Sequence, residues 1–62
     1  MSNYSREPVT VDFNGVVHET DKAFLLQVGK RQVWFPKSIS EFDWKKGEVT
    51  VPTYFAEKED LV

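Results

Sequence analysis

The chain has 62 residues, no cysteine and one histidine, which leaves room for a single small domain with neither a disulfide nor a cysteine-based zinc to staple it. Hydrophobic residues make up 40% and aromatic residues 15%, which favours a packed core over disorder. The formal charge of −2 builds in no general attraction to nucleic acid or anionic lipid, and no stretch reaches the roughly 20 apolar residues of a membrane-spanning helix.

The N-terminal stretch MSNYSREPV lacks the apolar run of a signal peptide, so a soluble, cytoplasmic protein without a membrane partner is expected. Residues 1–7 are polar and aperiodic and read as a flexible tail. From Pro8 the pattern changes: Val9, Val11 and Phe13 alternate with Thr10, Asp12 and Asn14, the period of a strand with one buried face. Asn14-Gly15 interrupts the run before Val16-Val17-His18 resumes it. The pair fits either a tight hairpin or a bulge that bends one long strand, the glycine supplying a positive φ.

Glu19 to Lys22 has the composition of a turn, and the run Ala23 to Val28 reads as a central strand. Gly29-Lys30 reverses the chain into a strand over Arg31 to Phe35, with Val33 and Phe35 on one side and Gln32 and Trp34 on the other. Pro36 ends that ladder, and Lys37 to Ser40 forms a short turn. Phe42 and Trp44 share one face of the next short strand, with Glu41 and Asp43 on the opposite face. Lys45-Lys46-Gly47 turns the chain into a last strand, Glu48 to Val51. Beyond Pro52 the pattern is helical, over about 53–61, with Thr53 as the expected N-cap.

Five short strands and one C-terminal helix make a mainly β protein, a small antiparallel sheet bent strongly enough to close into a barrel and hide its edges. Short connections favour an SH3-like barrel over an OB-like one. One domain is expected, over residues 8–62.

The ordered segments His18-Glu19-Thr20-Asp21-Lys22-Ala23, Val33-Trp34-Phe35-Pro36-Lys37-Ser38 and Val49-Thr50-Val51-Pro52, followed by Tyr54-Phe55-Ala56-Glu57-Lys58, resemble a group of small bacteriophage and prophage accessory proteins. The resemblance covers residues 11–62. It implies a phage origin and a macromolecular target, and it transfers no catalytic residue.

The residues that bear chemistry are few. His18, Glu19 and Asp21 stand close together in sequence, but one imidazole without a second histidine or a cysteine makes a poor metal site, and a solvated turn explains them; no metal or cofactor is expected. Ser38 has neither a nucleophile elbow nor a glycine-rich oxyanion loop beside it, and its hydroxyl suits the turn after Pro36. Glu41 and Asp43 point to one side of a strand, as an acid/base pair would and as a solvated face would. The three glycines are scattered and assemble no phosphate loop. An enzyme is therefore not expected.

The remaining signal is aromatic and basic. The segment from Lys30 to Lys46 carries a local excess of +3 between acidic flanks. Within it Arg31, Trp34 and Lys37, then Trp44, Lys45 and Lys46, form the candidate binding residues. If Val33 and Phe35 fill the core, Trp34 faces outward, unless it packs beneath the terminal helix against Tyr54 or Phe55; Trp44 has Phe42 on its own face. An exposed indole flanked by cations suits stacking of single-stranded nucleic acid, and an exposed indole also suits a protein interface. The acidic total and acidic terminus favour an interaction module for a host or phage protein, with single-stranded nucleic acid as the alternative and a homodimer through a sheet edge as a further option.

Overall fold

The structure, a computed structural model, describes residues 7–62. Six strands and one helix follow each other along the chain: β1 (Val9–Asp12), β2 (Gly15–Glu19), β3 (Ala23–Val28), β4 (Arg31–Pro36), β5 (Glu41–Asp43), β6 (Glu48–Val51) and α1 (Thr53–Lys58). They form two antiparallel three-stranded sheets, ordered β1-β6-β5 and β2-β3-β4.

Six strands form where five were expected, because the segment around Asn14-Gly15 is neither a hairpin nor a single bent strand. It is the corner at which the chain changes sheets. The Phe13 N–H donates to the carbonyl of Gly47 in the loop between β5 and β6 (2.9 Å), whereas the Asn14 N–H donates to the carbonyl of Gln27 on β3 (2.7 Å). Gly15 does not have a positive φ, so its expected role in a bulge does not hold. The bulge falls further on: Val16 pairs with Leu26 and His18 with Leu25, leaving Val17 without an opposite residue.

The β3–β4 hairpin forms as the sequence indicates. Val28 pairs with Arg31 across Gly29-Lys30, and only Gly29 has a positive φ (62°), the arrangement of a type II′ turn. Val33 and Phe35 pair with Leu26 and Phe24 on the face turned to the core. Leu26, Val33, Phe35, Val49, Val51, Phe55 and Ala56 are buried, drawing on both sheets and the helix. Val9, Val11, Phe13, Phe24, Val28, Ile39, Phe42 and Leu61 surround them, whereas Val16, Val17, Trp34, Trp44, Tyr54 and Val62 stay exposed.

Helix α1 covers six residues, shorter than the 53–61 span expected. Pro52 occupies the N-cap position, and the Phe55 and Ala56 N–H groups both donate to its carbonyl at 3.1 Å. Thr53 is thus the first helical residue and not the cap. Its side chain is buried, and the hydroxyl donates to the carbonyl of Glu7. The tail expected over 1–7 otherwise lies outside the described residues. At the other end the chain leaves the helix through Asp60, whose φ is 60°. The Leu61 N–H donates to the Ala56 carbonyl (2.7 Å) and the Asp60 N–H to that of Glu57 (3.1 Å), the paired bonds of a Schellman motif.

Closure of the strands into a hydrogen-bonded barrel is not observed. Chain continuity joins the sheets at Asn14-Gly15, but no ladder runs between β4 and β5. Among the described residues no helix is long and apolar enough to cross a membrane.

Candidate interaction surface

Alternation along β4 decides how the candidate residues are distributed. Arg31, Val33 and Phe35 point to the core side, and Gln32 and Trp34 to the outer side. Trp34 is 44% exposed. It does not lie beneath the helix: Phe55 packs against Phe35 with ring centroids 5.8 Å apart, and Trp34 meets His18 edge to face at 6.1 Å. The register explains that contact, because Leu25 pairs with His18 on one side and Trp34 on the other. His18, Leu25 and Trp34 form one cross-strand row on the outer face of the β2-β3-β4 sheet, with the Gln27–Gln32 pair beside it.

The two cations next to Trp34 in sequence are engaged elsewhere. Arg31 reaches the end of α1, its Nη2 donating to the Glu59 carbonyl (2.6 Å) and its Nη1 to that of Asp60 (3.2 Å). Lys37 donates from Nζ to Glu19 Oε2 (2.7 Å) and stands 4.7 Å from the centre of the Phe24 ring. Neither frames the indole of Trp34.

Trp44 occupies a different place. The strand expected to carry it ends at Asp43, and Trp44 opens the four-residue loop that Gly47 closes by donating its N–H to the Asp43 carbonyl (2.9 Å). Its ring stacks on Phe42 with centroids 5.0 Å apart and planes within 8°. Phe24 and Phe13 meet it edge-on at 5.0 and 5.7 Å. These four rings come from both sheets and from the chain just before the corner, so they join the sheets on one side. Trp44 nevertheless remains 52% exposed. Lys45 and Lys46 follow it in the loop and are exposed, the Lys46 N–H donating to Asp43 Oδ1 at 3.1 Å. The structure therefore brings Trp44, Lys45 and Lys46 together in one loop, places Trp34 on another face, and directs Arg31 and Lys37 to the core side of β4.

No protein-family model, curated protein or solved structure matches the chain.

The residues considered for a metal site separate, whereas Glu41 and Asp43, considered as an acid/base pair, stay on one face of β5. His18 lies against Trp34, Glu19 pairs with Lys37, and among the described residues no group of three potential ligands is close enough to hold a metal ion. Sequence reasoning missed one arrangement. Glu48 pairs with Asp12 on β1 and with Asp43 on β5, so three carboxylates stand in a row across the β1-β6-β5 sheet. The next row outward along the same face is Thr10, Thr50 and Glu41, with the two threonine hydroxyls 2.8 Å apart. Each strand shows its acidic positions in the alternation, but their alignment depends on the register.

Proposed function

We propose that this chain is a non-catalytic interaction module of the phage accessory type, acting in the bacterial cytoplasm, which binds a host or phage protein through the outer face of β2-β3-β4 with Trp34 as anchor. The observation that carries this reading is the separation of the exposed Trp34 indole from Arg31 and Lys37, although Trp44 keeps Lys45 and Lys46 beside it in its loop. Displacing counterions from phosphates requires several converging cations, and Arg31 and Lys37 are turned to the other side of the strand that presents Trp34. A half-exposed tryptophan beside a leucine, a histidine and two glutamines is instead the mixture of apolar and amide groups that anchors protein interfaces.

Two of the groups considered for chemistry have plain structural contacts, His18 with Trp34 and Glu19 with Lys37, which fits a binding role for them. The strand order, two sheets continuous at Asn14-Gly15, supports reading the fold as an SH3-like barrel left open between β4 and β5.

Two measurements test the function. Labelled poly-dT titrated at low salt should bind weakly or not at all; micromolar affinity that disappears with added salt and with charge reversal at Lys45 and Lys46 establishes the nucleic-acid alternative instead. In a pull-down from bacterial lysate the wild type should enrich a protein that Trp34→Ala does not. Equal capture by both removes Trp34 as the anchor.

A further inference from the structure

Two sheets that do not close into a barrel leave outer edges, at β1 and β5 in one sheet and at β2 and β4 in the other. Three of these edges are guarded. β1 and β5 are only four and three residues long and carry Asp12, Glu41 and Asp43, and β2 is broken by the bulge at Val17. β4 runs for six residues in unbroken register and shows the uncharged Gln32 and Trp34 on its outer face. The Lys37 N–H donates to the Lys22 carbonyl (2.7 Å), which sets the alternation of the β3–β4 ladder. Arg31, Val33 and Phe35 therefore bond to β3, and the N–H and C=O groups of Gln32 and Trp34 point to the open edge. Among the described residues these groups have no hydrogen-bond partner. The helix meets β4 at the Phe35 ring and the Arg31 guanidinium and makes no ladder along it.

We infer that this edge pairs with the same edge of a second copy of the chain, antiparallel about a two-fold axis at Val33, joining two three-stranded sheets into one of six strands. The occupant follows from how the edge fits itself. With Val33 opposite its counterpart, Gln32 of each copy faces Trp34 of the other, and every open N–H meets an open carbonyl. Arg31 then faces Phe35, Lys30 faces Pro36 and Lys37 faces Gly29, so no like charges stand opposite each other. Other registers fit worse. An axis at Trp34 sets Arg31 against Lys37 and Gln32 against Pro36, which has no N–H, and an axis at Gln32 sets Trp34 against Lys30 in the turn. A slip of one residue sets outer-face side chains opposite core-side ones. The pairing uses the backbone of β4 and leaves both Trp34 side chains on one continuous outer face, each beside a Gln32 of the other copy.

Sedimentation equilibrium of the full chain, over a series reaching about 1 mM, is the test. The expected result is a mass that rises from one chain to two and stops there, because a two-fold pairing consumes the edge. Gln32→Pro removes an N–H that the β3–β4 ladder does not use, so the variant should keep its circular dichroism and lose the same bond from both copies, weakening the dimer by about tenfold or more. Val17→Asp charges the exposed edge strand β2 and should change the association less than about twofold. Amide exchange in the wild type reads the register without any substitution: the Gln32 and Trp34 amides should slow as the concentration rises, with those of β2 unchanged. That measurement decides alone if Gln32→Pro does not fold. The inference is overturned if the wild type stays monomeric throughout, if folded Gln32→Pro associates as the wild type does, if the mass continues past two chains, or if the concentration-dependent slowing falls on β2. Sedimentation contains no other protein, so its outcome and the fate of Trp34 as an anchor are decided separately.

Discussion

Arg31 Nη2 donates to the carbonyl oxygen of Glu59 at 2.6 Å, and this bond ties the start of β4 to the last turn of a helix only six residues long. A helix of that length has no independent stability and is held by its packing and its ends. Arg31 supplies positive charge and two donors where the helix leaves carbonyls unpaired. Replacing Arg31→Ala should cost about 1 kcal/mol, the value of partly exposed hydrogen bonds from a charged donor, and lower the thermal midpoint by about 4–8 °C. Amide exchange at Leu61 should accelerate more than at Leu26. If the midpoint is unchanged, the clamp contributes nothing in solution and Arg31 is free for a partner.

Two loop positions with positive φ should respond in opposite directions. Asp60 adopts φ 60° with a side chain that has to be accommodated there, so Asp60→Gly is expected to stabilise by about 0.5–1 kcal/mol. Gly47 has φ 68°, and a Cβ placed there would stand 3.3 Å from the Phe13 carbonyl oxygen. That contact and the backbone conformation together make Gly47→Ala destabilising by about 1–2 kcal/mol. Urea unfolding of both variants gives the comparison, and a stabilised Gly47→Ala contradicts the geometry.

The same alternation that exposes Trp34 also sends Arg31 and Lys37 to the opposite side of the chain, so their separation is legible in the amino-acid sequence itself. Both are an odd number of residues from Trp34, and neighbours in sequence are not neighbours on a strand face. The β3–β4 hairpin is legible for a comparable reason: Gly29-Lys30 lies between two apolar strands of equal length. The corner at Asn14-Gly15 is not. Nothing local distinguishes a strand that bends from one that changes sheets, because the choice is made by Gly47 and Gln27, both distant in sequence. The register that lines up Asp12, Glu48 and Asp43 is hidden likewise, since it is fixed by which valines of β1 and β6 meet in the core.

That acidic row should make stability depend on salt. Like charges directly opposite on a sheet repel, and dissolved ions screen the repulsion. Raising the salt concentration should therefore raise the thermal midpoint. Glu48→Gln, at the centre of the row, should stabilise by about 0.5 kcal/mol at low salt and by less at high salt. Thermal scans of the wild type and Glu48→Gln across a sodium chloride series measure both effects. A midpoint that falls with salt shows that attractive pairs elsewhere dominate.

The two tryptophans should differ in what they contribute to the fold. Trp44 touches three phenylalanines drawn from both sheets and from the corner, so Trp44→Ala removes a contact that holds the sheets together and should cost about 2–3 kcal/mol. Trp34 lies on an outer face against His18 and the neighbouring strand, and Trp34→Ala should cost about 0.5–1 kcal/mol. Urea denaturation of the two variants separates them. A small cost at Trp34 means that its loss of a partner in the pull-down reports on the surface itself, because the variant remains folded. A cost at Trp34 equal to that at Trp44 assigns the indole to the core and takes away the anchor on which the protein-binding reading depends.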